Sequence, residues 1–290
     1  MTHPITVGVD GSDESRAAVE WAAWEAVRRG LPLRVVYAWN GPSHEAVGGP
    51  DPAEQASWAE ALARAAARTA TEQHADLSVS AEVLDGGPVD SLVAAAAEAE
   101  TLVLGSRGHG AIVGFLLGSV GQQVIAEAAS PVVLVRADDR AESEAAGREI
   151  VVGQRGAPDD SAAGLRFAFE TAAARGASVR VVRAWSLPPV FAYSPGSLKL
   201  LDEAGGLEPL EKKALAEAVD PWRERFPDVP VTEYVEMGSA GQVLLSLAAR
   251  AQLMVVQRRA EPSAVGSRIG SVAHAVMHHA PCPVAVVPHA

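Results

Sequence analysis

Residues 5–40 read ITVGVDGSDESRAAVEWAAWEAVRRGLPLRVVYAWN, and residues 150–186 read IVVGQRGAPDDSAAGLRFAFETAAARGASVRVVRAWS. The two stretches align with one inserted residue, which puts Trp39 on Trp185 and Gly30 on Gly176. Each consists of a β-branched run, a helix-length stretch closed by glycine, and a second β-branched run, the pattern of a strand–helix–strand unit. The correspondence continues further along, where SPVVLVR from Ser130 matches CPVAVVP from Cys282. A period near half of a 290-residue chain means two homologous domains, because solenoid repeats are far shorter. Between the copies, residues 137–149 read ADDRAESEAAGRE, polar, charged and without periodicity, as a linker should be. Domains are therefore expected over residues 1–138 and 148–290.

In the first copy the periodicity predicts strands at 5–9, 33–39, 78–84, 101–104 and 131–136, and helices at 13–29, 53–74, 89–99 and 119–129. Trp21 and Trp24 fall on the apolar side of the first helix, Gly30 stops it, and residues 40–52, rich in Gly and Pro, read as a loop. Strands separated by helical crossovers imply an α/β fold, a doubly wound parallel sheet with helices on both faces. Such sheets bind ligands outside the carboxyl ends of the strands, where the strand order reverses.

The segment after the fourth strand, residues 105–119, reads GSRGHGAIVGFLLGS and places Gly105, Gly108, Gly118 and Ser119 where backbone amides can approach an anion. Its counterpart, residues 257–271, reads QRRAEPSAVGSRIGS; it keeps Gly270 and Ser271 but has Gln257 and Ala260 in place of the first two glycines. One chain thus holds a candidate site beside a degenerate copy. If strands one and four are neighbours, Asp10 at the end of the first strand faces the same crevice as Gly105. A carboxylate there would repel phosphate but can accept hydrogen bonds from ribose hydroxyls or an adenine amino group. The run DGSD also suits a turn or helix cap, and the sequence leaves both readings open. A P-loop is excluded, since no G-x4-G-K-[ST] exists and no lysine lies near the loop. GHGAIVG follows the fourth strand and lacks the G-x-G-x-x-G spacing, which argues against a Rossmann cofactor site.

Composition narrows the function classes. The chain is 48% hydrophobic and 21% charged, ordinary for a globular protein, and its net charge of −12 with no basic run argues against nucleic acid. No basic region or apolar core of an export signal is visible at the amino terminus, and no apolar run would cross a bilayer, so a cytoplasmic location and no membrane partner are expected. The single Cys282 fits a reducing compartment. His274 and His278 share a helix face near His279 and Cys282, but no carboxylate supports a metal site, and none is expected.

These residues resemble the universal stress protein family, in its ATP-binding form. The resemblance rests on VGVDGS at the amino terminus, on Gly105, Gly108, Gly118 and Ser119 in the pattern G-x2-G-x9-G-[S/T], on Asp10 after strand one, and on SPVVLVR closing the domain. It covers both halves, as in tandem members, and implies five strands per domain in the order 3-2-1-4-5. It also implies that Asp10 and Gly11 contact the nucleoside, that Ala38 lends backbone atoms to adenine, and that Gly105 and Gly108 approach ribose and phosphates. Arg107 and His109 would flank the triphosphate, with Gly118, Ser119 and Val120 supplying N–H groups and a hydroxyl. His109 reads equally well as an exposed loop residue. The second half has Arg155 where Asp10 stands and lacks both glycines, so it is expected to bind ATP very weakly or not at all and to act as a structural partner. The last strands, 132–135 and 284–287, are the expected pairing edges; a different anion held by Arg155, Arg258 and Arg259 is the alternative use.

The implied function is an ATP-binding stress-response regulator, taking ATP with or without Mg2+ and hydrolysing it slowly or not at all. No catalytic residue is assigned, because no base for activating water is evident in the loop. The competing class is an enzyme cleaving or transferring at the ATP phosphates. Pairing of the halves within the chain, a homodimer, and an unidentified regulatory protein partner complete the expectation.

Overall fold

The structure, a computed structural model, describes residues 2–39, 52–106, 118–137, 148–187, 206–258 and 269–289. The first half runs β1 (Ile5–Gly8), α1 (Asp13–Arg29), β2 (Leu33–Trp39), α2 (Pro52–Gln73), β3 (Val79–Asp85), α3 (Pro88–Ala97), β4 (Thr101–Gly105), α4 (Ser119–Glu127) and β5 (Val132–Val135). The second repeats it as β6 (Glu149–Gln154), a 3₁₀ turn (Pro158–Ser161), α5 (Ala162–Arg175), β7 (Val179–Trp185), α6 (Glu208–Arg225), β8 (Val231–Met237), α7 (Ala240–Ala248), β9 (Ala251–Gln257), α8 (Ser271–His279) and β10 (Val284–Val287).

Local chemistry explains the boundaries. Ser12 caps α1 by accepting from Ser15 N at 3.1 Å, Asp13 and Glu14 occupy the first turn, and Arg28 and Arg29 the last, all favourable to the helix dipole. Gly30 ends it at φ 63°, a conformation costly for other residues. The sequence places α1 and β2 correctly to the residue. Helix α4 is shorter than the expected 119–129, because Ala128 has already turned to ψ 138° ahead of Pro131.

The strands form one ten-stranded sheet in the order β3-β2-β1-β4-β5-β10-β9-β6-β7-β8. Each half has the order 3-2-1-4-5, parallel throughout, with Ile5 in register with both Leu33 and Thr101. The two expected sheets are thus joined: β5 and β10 pair antiparallel, Ala285 opposite Val133. Both strands are buried at every position, so either left as an edge would expose apolar side chains and open backbone groups. Alternation along the strands then sorts the core. One continuous apolar layer carries Ile5, Val133, Ile150 and Ala285 beneath α1, α2, α5 and α6; the other carries Leu102, Leu134, Met254 and Val284 beneath α3, α4, α7 and α8.

Where α1 meets α5, the halves share a buried ionic cluster. Glu25, 1% exposed, accepts from Arg29 Nε at 2.6 Å and from Arg175 Nε and Nη2 at 3.0 and 2.7 Å. Arg29 and Arg175 occupy equivalent positions in the two copies; the equivalent of Glu25 is Thr171, whose hydroxyl accepts from Arg29 Nη2 at 2.5 Å and donates to Phe167 O at 2.7 Å. Arg29 also lies over the Phe167 ring and Arg175 over the Trp21 ring, so each guanidinium packs on the other half. Burial pushes the Glu25 carboxyl up, but Arg175 and then Arg29 outweigh it and hold the group below the usual carboxylate range.

Glu25→Gln should therefore cost about 3–5 kcal/mol in urea unfolding at pH 7, by leaving buried guanidinium charge uncompensated. Because the folded value is depressed, the Glu25 contribution is complete above the unfolded value near 4.5 and is lost as pH falls through the folded one. The wild-type advantage over the variant should shrink only in that acid window; an advantage that vanished between pH 6 and 8 would contradict this account.

Candidate nucleotide cleft

At the carboxyl end of the sheet β1 and β4 are neighbours, while their crossovers leave to opposite faces, which opens a crevice between them. The cleft there has a volume of about 420 Å³, within the range of small-ligand sites. Of the expected site residues, Asp10, Ala38, Gly105, Gly118, Ser119 and Val120 line it together; Tyr37, Ser15, Pro88 and Leu92 join them. Arg107, Gly108 and His109 lie outside the described residues.

Asp10 serves the turn and also stands at the cleft. Its Oδ1 accepts from Ser12 N at 3.0 Å and Ser12 Oγ at 2.5 Å, which shapes the turn into α1, and the exposed side chain still borders the cleft. Gly11 follows at φ 84°, with Leu62 only 3.0 Å from where a Cβ would stand, so the turn requires glycine. Ala38 is placed by strand parity. The Val36 carbonyl accepts from Val9 N at 2.9 Å, and β1 ends opposite Val36. Two residues on, Ala38 turns its backbone groups to the same side, where no strand meets them.

Gly118 and Ser119 begin α4 without a side-chain cap, so its first amides face the cleft with the positive end of the helix dipole behind them. A Cβ at Gly118 would meet open space, so packing does not demand glycine there. Gly105 lines the cleft, and its missing Cβ also makes room for the backbone of α1: a Cβ would lie 2.7 Å from Glu14 C and 2.8 Å from Ser15 N. The residue draws the start of α1 against the end of β4 and so sets the width of the crevice.

Tyr37 was not among the expected residues, though it adjoins Ala38 in the sequence. Its phenol is pushed up by burial and by the negative charge of Asp10, and its ring stands edge-on to Trp58 at 5.8 Å. Sequence alternation assigns Tyr37 to the α2 side of the sheet; only the end of β1 at Gly8 lets it reach the cleft.

The second half shows how the same framework closes. Its cleft has a volume of about 130 Å³ and is lined by the equivalents Gly153, Arg155, Ala184, Gln257, Gly270 and Ser271. The inserted residue recasts the first turn of the helix as 3₁₀, and Gln257 fills the space gained. With the amide turned so that both neighbours are satisfied, its nitrogen donates to Asp160 O and its oxygen accepts from Gly164 N, each at 3.2 Å. Gly164 is bare because a Cβ would lie 2.9 Å from Gln257 Cγ. Arg183, where the first half has Tyr37, donates to Gln154 Oε1 at 2.6 Å and pairs with Glu211 at 2.5 Å. Of the three arginines expected to share an anion, Arg155 lines this cleft, Arg258 donates to Ile125 O and Ala126 O in the other half, and Arg259 lies outside the described residues. The His274 and His278 rings lie 4.2 Å apart, but no group of three metal-ligating side chains occurs among the described residues.

Sheet order, with parallel halves and a crevice where the strand order reverses, defines a doubly wound α/β protein. The chain belongs to the universal stress protein family, whose sequence profile matches residues 1–136 and 148–288. It is 36% identical over 291 residues to Universal stress protein Rv2005c of Mycobacterium tuberculosis, covering 98% of this chain and 96% of that protein. A universal stress protein from Archaeoglobus fulgidus shares the fold at TM-score 0.72 and 17% identity, over 99% of this chain and 98% of the other. Another from that organism, solved in complex with dAMP, aligns with 46% of this chain and 97% of its own at 26% identity and TM-score 0.36. Among the described residues no helix is long and apolar enough to cross a membrane.

Gly105→Ala should destabilise the chain by about 1–3 kcal/mol, since the added methyl must displace helix backbone. Gly118→Ala should change stability by no more than about 0.5 kcal/mol without ligand. Thermal unfolding of both variants checks this; equal effects would refute the distinction between the two glycines.

Proposed function

We propose that the first domain, residues 1–138, binds ATP, and that the second, residues 148–290, is a nucleotide-free structural partner. The carrying observation is the convergence on one cleft of Asp10, the open backbone of Ala38 and the uncapped start of α4 at Gly118, Ser119 and Val120. Asp10 and Gly11 take the nucleoside end and Ala38 the adenine edge, while the α4 amides and the Ser119 hydroxyl take phosphate, with or without Mg2+. Arg107, Gly108 and His109 are assigned to the phosphates by their place in the motif. The smaller second cleft, with Gln257 built into its wall and Arg155 in place of the carboxylate, supports leaving that domain vacant.

The protein acts in this reading as a cytoplasmic stress-response regulator, forming a homodimer and signalling by nucleotide occupancy to a protein partner. Among the described lining residues the titratable side chains are Asp10 and Tyr37, both at the nucleoside end, which supports slow hydrolysis or none. Steady release of ADP or AMP by pure protein would favour the competing enzymatic reading.

Mass analysis of nucleotide released on denaturation, with calorimetric titration, tests the assignment. One ATP per chain is expected. At a free concentration about a hundredfold above Kd, ATP should raise the unfolding free energy by about 2.7 kcal/mol. Asp10→Ala should weaken binding about tenfold or more through loss of charge-assisted hydrogen bonds, and Arg155→Ala should leave it unchanged. Two ATP per chain, or none at millimolar concentration, would sink the proposal.

A further inference from the structure

Helix α4, whose first turn faces the cleft, has no basic residue in its last turn and carries Glu127 there, the wrong sign for the negative end of a helix dipole. The missing cation comes from the other half. Arg258 Nη1 donates to Ile125 O at 3.0 Å and to Ala126 O at 2.6 Å, two carbonyls of that last turn. Arg258 directly follows Gln257, at the position equivalent to Ser106 in the first half. The backbones match, since Ser106 N donates to Val135 O at 2.7 Å and Arg258 N to Val287 O at 2.8 Å. The degenerate motif has therefore lost a cleft-lining glycine and carries, one residue later, a cation that reaches across the junction of the halves.

In the other direction Arg136, just past β5, donates to Met277 O of α8 at 3.4 Å, and α8 has His278 and His279 in its last turn. Of these two contacts the one to α4 is the shorter.

We propose that Arg258 is a positioning residue for the nucleotide cleft of the first half, coupling occupancy of that cleft to the docking of the two halves. The inference rests on nucleotide binding as assigned above and adds a regulatory use for the second half. Helix α4 is a short rod of about 13 Å, so fixing and neutralising its carboxyl end both orients its amino end and strengthens the field felt by phosphate there. Linkage makes the effect reciprocal: nucleotide must tighten the docking that supplies Arg258.

The test uses the full chain. ATP titration should show Arg258→Gln binding about threefold to fivefold more weakly than wild type, with Arg258→Lys recovering most of the loss. Thr171→Val, which disturbs the Glu25 cluster without touching α4, should bind ATP within about twofold of wild type. Without nucleotide, amide exchange across 119–127 should quicken in Arg258→Gln; with saturating ATP, exchange in β5 and β10 of the wild type should slow. Wild-type affinity in Arg258→Gln would overturn the coupling and leave the nucleotide assignment standing. Equal weakening by Thr171→Val would also overturn it, by reducing the effect to general loosening. A wild-type chain that bound no ATP would remove both readings together.

Discussion

The pairing of β5 with β10 is the contact on which the rest of the molecule depends. Each strand is apolar on both faces, and among the described residues no element of its own half pairs with its outer edge. Joined antiparallel, they close the hydrogen-bond ladder and run both core layers across the junction without a break. The two domains of the sequence thus become one sheet. The junction also brings α1 against α5 and the end of β9 against α4, the origin of both the Glu25 cluster and the Arg258 contact.

Within that frame one missing methyl separates the two clefts. Gly105 lets the start of α1 approach β4 to a distance no other residue allows, so the crevice has a backbone wall and a volume of about 420 Å³. In the copy, Gln257 demands space that the inserted residue supplies by loosening the helix start into a 3₁₀ turn. The amide then bonds to the groups the change uncovers. The substitution, the insertion and the bare Gly164 form a single compensated change. The Arg183–Gln154–Glu211 network beside it fills with paired polar groups a region that Tyr37 and Trp58 occupy in the first half.

The asymmetry extends to the junction itself. Of the two positions related by the repeat, one carries Glu25 and the other Thr171, while arginine stands at both Arg29 and Arg175. A pair of second halves would bury two guanidiniums with no carboxylate between them, at a cost of several kcal/mol, so the second half is suited to a first half and not to its own kind. The second copy keeps the fold, has the smaller cleft, and contributes an arginine to helix α4 of the first.

The fold was legible in the sequence because it is written in local terms. Period-two and helical runs, the Ser12 and Gly30 caps, and the repeat of 5–40 at 150–186 each report on a few neighbouring residues, and together they determine an α/β tandem and most element boundaries. The meeting of Asp10 with Gly118 and Ser119 at one crevice followed from the inferred strand order, while Ala38 came from the family resemblance alone. What the tertiary structure alone decided depends on distances between segments far apart in the chain: that Gly105 must be bare to admit the start of α1, that Tyr37 reaches the cleft past the end of β1, that Glu25 is buried between two arginines, and that Arg258 bonds to α4 of the other half. No periodicity carries such information, because the strength of a buried contact is set by which side chains the packing of separate elements brings face to face.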